Sequence, residues 1–105
     1  MKEKLIENFL RISKIPRGSG NEKVIADFFI QIANENHLYC YRDAYNNVLI
    51  KKKGNIKGKT VALQAHLDMV CVKNKDSLHD FTKEGIAVVI DEDKVFAKGT
   101  TLGAD

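Results

Sequence analysis

The chain has 105 residues, of which 44% are apolar, and its 17 basic and 14 acidic residues give a net charge of +3. This size and composition are typical of one globular domain and exclude an intrinsically disordered chain. No apolar run reaches the ~18 residues of a membrane span, and charged residues interrupt the amino-terminal segment, so no signal peptide is predicted. Two cysteines are too few for a disulfide framework. We therefore expect a cytoplasmic protein.

Two amphipathic helices are predicted at the start of the chain. Apolar residues recur three and four apart over residues 2–14 and again over residues 24–32. The first helix should end just before Pro16, because the residue before a proline avoids the helical region. Ser19, followed three residues later by Glu22, resembles a capping box and indicates where the second helix begins.

Strands follow the helices. Residues 38–42 and 48–50 predict two strands, and residues 60–66 predict a third, mostly apolar strand that is buried on both faces. Residues 86–90 and 94–97 predict a hairpin. No later helix is predicted to cover the sheet, although apolar strands need such a layer. We therefore expect an α/β fold, with two helices followed by strands of a mixed sheet, as an incomplete part of a larger domain.

His66 and Asp68 are the first candidate site residues. Residues two apart on a strand share one face and lie about 6.6–6.8 Å apart along the backbone. A neutral imidazole is a good zinc ligand, and Asp68 is well placed to accept a hydrogen bond from the other ring nitrogen. The same spacing also fits a histidine at a strand end beside a solvated aspartate. His-x-Asp alone leaves both interpretations open.

A second carboxylate ends a glycine-rich segment, residues 99–105 (GTTLGAD). Gly103 permits backbone conformations that other residues avoid, and Ala104 leaves room for a close approach. Such a turn could direct Asp105 towards a fixed point, where its carboxylate could bridge two cations. Taken alone, the segment also fits a loop that ends on a charged residue.

Several motifs in order resemble one enzyme family. These are residues 15–22 (IPRGSGNE), 63–70 (LQAHLDMV), 73–74 (KN), 79–81 (HDF) and 99–105. Together they are similar to the aminoacyl-histidine dipeptidases, also called Xaa-His dipeptidases, within the co-catalytic zinc metallopeptidases. The resemblance spans residues 1–105 and corresponds to the amino-terminal part of a catalytic domain. The rest of that domain and the family's smaller second domain would be absent.

The resemblance implies a role for each candidate residue. His66 would ligate one zinc ion, Asp105 would bridge two zinc ions, and Asp68 would orient His66 and count as catalytic. The family's remaining ligands and its general-base glutamate lie further along the chain than residue 105. One departure is Ala65, where glycine is usual before the histidine.

The implied function is zinc-dependent hydrolysis of Xaa-His dipeptides, with Co²⁺ or Mn²⁺ as possible replacements for zinc. We expect this activity from the full-length protein and not from the 105-residue chain alone. The alternative is a non-catalytic remnant that self-associates through uncovered strands. A nucleic-acid partner is not expected, because a solvated hairpin tip explains the basic residues between 51 and 59, and no membrane partner is expected.

Overall fold

The computed structural model describes residues 2–105, and two helices open it. Helix α1 spans Lys2–Ser13 and helix α2 spans Lys23–Glu35, so both predicted helices are confirmed. The Ser13 hydroxyl donates a hydrogen bond to the carbonyl oxygen of Phe9 (2.8 Å) in the last turn of α1. The helices also meet through a cation–π contact, in which the Arg11 guanidinium lies 5.0 Å from the centre of the Phe28 ring. Neither helix is long and apolar enough to cross a membrane.

Helix α2 supplies most of the buried core. Ile25, Ala26 and Ala33 on this helix are fully buried, as expected for the apolar face of an amphipathic helix. Met69 and Ile86 are also buried, although they come from segments without regular secondary structure. The buried apolar residues thus come from α2 and from two segments without regular secondary structure.

Two antiparallel hairpins follow the helices. Strand β1 (Tyr39–Arg42) pairs with β2 (Val48–Lys51), and β3 (Val88–Asp91) pairs with β4 (Lys94–Ala97). Helix α2 packs against the first hairpin. The predicted α/β fold class, two helices followed by strands, is confirmed.

The third predicted strand is the main difference from expectation. Residues 60–66 form no strand, and the described strands make two separate two-stranded sheets and not one mixed sheet. A strand must pair its backbone N–H and C=O groups with a neighbour, and within residues 2–105 no strand pairs with this segment. Its apolar side chains are accordingly exposed, with 78% of Val61 and 95% of Leu63 accessible to solvent. The prediction that they are buried on both faces is wrong for this chain.

Candidate metal site

The His66 ring is held at one of its two nitrogens. Nδ1 lies 2.9 Å from the backbone carbonyl oxygen of Asp68 and 3.0 Å from its carboxylate oxygen Oδ1. Both neighbours are acceptors, so the arrangement favours a proton on Nδ1. Nε2 then carries the lone pair of the neutral ring and is the nitrogen that could ligate a metal.

Asp105 lies directly opposite that second nitrogen. Its Oδ2 is 2.9 Å from Nε2 of His66. The structure therefore brings His66, Asp68 and Asp105 together in one place, although Asp105 is 37 positions further along the chain than Asp68. Their roles as zinc ligand, orienting residue and bridging carboxylate stay predictions.

Backbone pairing carries Asp105 towards His66. The Thr101 amide donates to the carbonyl oxygen of Val72 (2.9 Å), and the Thr101 hydroxyl donates to that of Val70 (2.6 Å). The Asn74 amide donates to the carbonyl oxygen of Gly99 (2.8 Å). Gly99 adopts a φ of 73°, a region that glycine enters without steric cost. The chain following β4 thus runs back beside the segment that follows His66.

The prediction that Gly103 provides the unusual backbone conformation in this turn is wrong. Gly99, and not Gly103, has the positive φ in the glycine-rich segment. The space beside Gly103 is also open, since a Cβ built there would meet no atom within 4 Å. The direction of Asp105 therefore depends on the pairing at residues 99–101 and on contacts to the carbonyl of Gly103.

The interpretation of Ser19 as part of a capping box is also wrong. Helix α2 begins after Glu22 without a side-chain cap. The Ser19 hydroxyl instead donates a hydrogen bond to Oδ2 of Asp68, while the Glu22 carboxylate accepts one from the Gly20 amide (2.6 Å). Both oxygens of Asp68 are thus engaged, one by His66 and one by Ser19.

Arg17 is a second contributor that sequence reasoning missed. It is 4% exposed, and its guanidinium contacts backbone carbonyls of both site segments, residues 67–68 and residue 103. Arginine is almost never buried without partners, but a single arginine in a short loop gives no sign of burial. The only signal in the sequence was the family-like pattern of residues 15–22.

The charges around the site shift two pKa values in opposite directions. The backbone carbonyl of Asp68 raises the pKa of His66, and the charge of Asp105 and the Asp68 carboxylate add to that effect. The hydrogen bond from Ser19 lowers the pKa of Asp68, and the bond from His66 adds to it. Asp68 therefore stays ionised to a lower pH than usual. The second proton of His66, on the Nε2 that faces Asp105, is retained to a higher pH than usual.

The donors fit part of a zinc site. Nε2 of His66 and Oδ2 of Asp105 lie at a hydrogen-bond distance of 2.9 Å, whereas two ligands about 2.0–2.1 Å from a tetrahedral zinc ion lie about 3.3 Å from each other, so a bound ion would take the place of this hydrogen bond. Imidazole nitrogen and carboxylate oxygen are both ordinary zinc ligands. Residues 2–105 contain no group of three or more histidine, cysteine, aspartate or glutamate side chains arranged to hold one metal ion. An open pocket of about 270 Å³ lies beside the pair, lined also by residues 101–104.

Comparisons with known proteins agree with the resemblance seen in the sequence. No protein-family model matches the chain. The cytosol non-specific dipeptidase of Escherichia coli (strain K12) is 46% identical over 100 residues, which cover 92% of this chain and 21% of that protein. The crystal structure of aminoacylhistidine dipeptidase from Vibrio alginolyticus matches with a TM-score of 0.82 and 45% identity, over 90% of this chain and 20% of that one.

The chain thus spans about a fifth of the length of each relative. This coverage is consistent with the predicted amino-terminal portion of a longer enzyme. The similarity of the chain to the aminoacyl-histidine dipeptidases, predicted from its motifs, is confirmed in both sequence and fold.

Proposed function

We propose that this chain is part of a zinc-dependent dipeptidase that acts on Xaa-His dipeptides in the cytoplasm. The observation that carries the proposal is the 2.9 Å approach of Asp105 to the Nε2 nitrogen of His66, with Nδ1 held by Asp68. The dipeptidase names of both relatives support the reaction class. The proposal includes neither a nucleic-acid nor a membrane partner.

Each site residue has a distinct task in this proposal. His66 would offer its Nε2 lone pair to a zinc ion, and Asp68 would keep the proton on Nδ1 and the ring in its present orientation. Asp105 would share the same ion and leave its other carboxylate oxygen for a second one. Zinc in such sites supplies Lewis-acid polarisation of a carbonyl and acidification of water.

We propose that the isolated chain does not catalyse the reaction. Catalytic zinc ions have about three protein ligands, and a general base must lie within hydrogen-bond reach of the proton that it removes. His66 and Asp105 provide two ligands, and Asp68 is committed to His66 and Ser19. An in-frame continuation beyond codon 105 that encodes two adjacent glutamates would support the complete enzyme, and its absence would favour a non-catalytic remnant.

Zinc binding tests the proposed site. We expect weak zinc binding by the chain, which a titration followed through the His66 ring signals in the NMR spectrum can measure up to millimolar concentration. For variants that lack the ring, isothermal titration calorimetry replaces this readout. The double variant His66→Ala with Asp105→Ala should lose the binding, whereas Asp27→Ala on α2 should retain it. Unchanged zinc affinity in the double variant would remove the proposed site.

Self-association is the second candidate function, and the exposed apolar residues of the 60–66 segment favour it. Leu63 is 95% exposed, and unpaired apolar segments tend to associate with other chains. Light scattering should then show a mass that rises with concentration, and Leu63→Lys should reduce that rise. Leu5→Lys, on the 69% exposed Leu5 of α1, is the matched control. A compact monomer at high concentration would contradict this candidate.

A further inference from the structure

One arginine connects the two segments that carry the site. Nη1 of Arg17 donates hydrogen bonds to the carbonyl oxygens of Leu67 (3.1 Å) and Asp68 (3.2 Å). Nη2 donates to the carbonyl oxygen of Gly103. The same guanidinium therefore contacts the residues next to His66 and the residue two positions before Asp105.

The backbone of Arg17 is itself fixed to the first of these segments. Its carbonyl oxygen accepts a hydrogen bond from the Met69 amide (2.9 Å), and the adjacent Gly18 forms a parallel bridge with Met69. A Cβ on Gly18 would lie 2.9 Å from the sulfur of Cys71, which is closer than side chains normally approach. A side chain at residue 18 would therefore require the Cys71 side chain to move.

Apart from the bond to Arg17, few hydrogen bonds hold residues 102–105, the end of the segment that carries Asp105. The pairing of residues 70–74 with residues 99–101 ends at Thr101. Over the part of the chain that the structure describes, residues 102–105 make two hydrogen-bonded contacts to the rest of it. These are the bond from Arg17 to Gly103 and the contact of His66 with Asp105. In the absence of His66, the bond from Arg17 would be the remaining hydrogen bond between this segment and the rest of the described residues.

The chemistry of a guanidinium suits this connection. Its donors form a rigid planar fork, so two of its nitrogens can bond to different acceptors in a fixed relative position. A lysine ammonium is a single point on a flexible stem and does not fix two segments in the same way. Burial lowers the pKa of Arg17, and the negative charges of Asp68 and Asp105 oppose that shift. The carboxylates of the site therefore help to keep the buried cation charged.

We propose that Arg17 is a positioning residue, which sets the distance between Nε2 of His66 and the Asp105 carboxylate and thereby the metal affinity of the site. The inference rests on the proposed zinc site. Arg17 contacts only backbone carbonyls there, so it acts on both ligands through the main chain and does not itself bind the metal or the substrate.

Variants of Arg17 in the 105-residue chain test the inference. Removal of a residue that orients metal ligands typically lowers metal affinity about 10- to 100-fold, and we expect a loss in this range for Arg17→Met. Arg17→Lys should bind zinc almost as weakly as Arg17→Met, because lysine lacks the planar fork of donors. Arg42→Met is the matched control, since Arg42 pairs with Asp27 on α2 and should bind zinc as the unmodified chain does. Each variant is titrated with Zn²⁺ below its own unfolding temperature, with the His66 ring signals as the readout.

A double variant separates positioning from general destabilisation. In an Asp105→Asn background the second ligand is already impaired, so Arg17→Met should cause a much smaller further loss of zinc affinity. A purely structural role would give the same loss in both backgrounds and would overturn the inference. A folded Arg17→Met chain with unchanged zinc affinity would overturn it as well.

A measurement on the unmodified chain covers the case in which the Arg17 variants do not fold. Scalar couplings across hydrogen bonds should connect the Arg17 side-chain nitrogens to the carbonyl carbons of both segments, residues 67–68 and residue 103. Couplings to one segment alone would contradict the connection. If instead His66→Ala with Asp105→Ala leaves zinc affinity unchanged, the proposed zinc site itself is refuted. That result differs from unchanged affinity in Arg17→Met alone, which would refute only the role of Arg17.

Discussion

Replacement of Asp68 by alanine removes one of the two acceptors that hold the His66 ring. The backbone carbonyl of residue 68, 2.9 Å from Nδ1, remains after the change, while the carboxylate contact at 3.0 Å is lost. Loss of such an orienting partner costs about 10- to 100-fold in metal affinity. Because one acceptor survives, we expect a loss near the lower limit, about tenfold.

Asp68→Asn separates the charge of Asp68 from its shape. The amide oxygen can still accept the Nδ1 proton, and the amide nitrogen can face the Ser19 hydroxyl, which also accepts hydrogen bonds. We therefore expect Asp68→Asn to lower zinc affinity less than Asp68→Ala does. The matched control is Asp27→Asn, which removes one negative charge from a half-buried carboxylate that pairs with Lys23 and Arg42.

Zinc titrations followed through the His66 ring signals measure these effects, at a pH above the His66 pKa and with the fold of each variant checked by circular dichroism. His66→Ala, which has no ring to follow, is measured by isothermal titration calorimetry. Unchanged zinc affinity in Asp68→Ala would refute the orienting role. A loss as large as that of His66→Ala would refute the argument that the backbone carbonyl retains the ring.

Three further predictions follow from the charges and the core. The pKa of His66 should lie above its ordinary value and fall in Asp105→Asn, because the charge of Asp105 helps to raise it, and an NMR titration of the His66 ring signals measures both. Zinc affinity should rise as the pH increases through that pKa, since only the neutral ring binds metal, and a pH-independent affinity would contradict this. Ile25→Ala should lower the free energy of unfolding by about 2–5 kcal/mol, because Ile25 is fully buried. Val24→Ala, at a 53% exposed position, should change it little, and equal denaturation curves for the two variants would contradict the assignment of the core.

The helices and hairpins could be predicted because their signals are local. The 3.6-residue spacing of apolar residues in α1 and α2 can be recognised within a short stretch of sequence. The same holds for the two short apolar runs on either side of residues 91–94. The strand predicted at residues 60–66 does not form, because its signal was not sufficient. Its apolar pattern is typical of a buried strand, but a strand also depends on a neighbour, and the described part of this chain provides none.

In the candidate site, too, local features could be predicted more readily than contacts between distant segments. His66 and Asp68 lie two residues apart, so a hydrogen bond between them was one of two interpretations that their spacing left open. Asp105 could be placed beside them only through the family resemblance, because its approach depends on backbone pairing between distant segments. Ser19 and Arg17 were missed since their partners lie about 50 residues away. Local patterns at Ser19 favoured a helix cap instead.

Crystals of the chain soaked in zinc and measured at the zinc absorption edge test most directly whether His66 and Asp105 hold the same ion. We predict an anomalous peak about 2.0–2.2 Å from both Nε2 of His66 and a carboxylate oxygen of Asp105. A peak that contacts only one of these atoms, or zinc bound only elsewhere on the chain, would contradict the shared site.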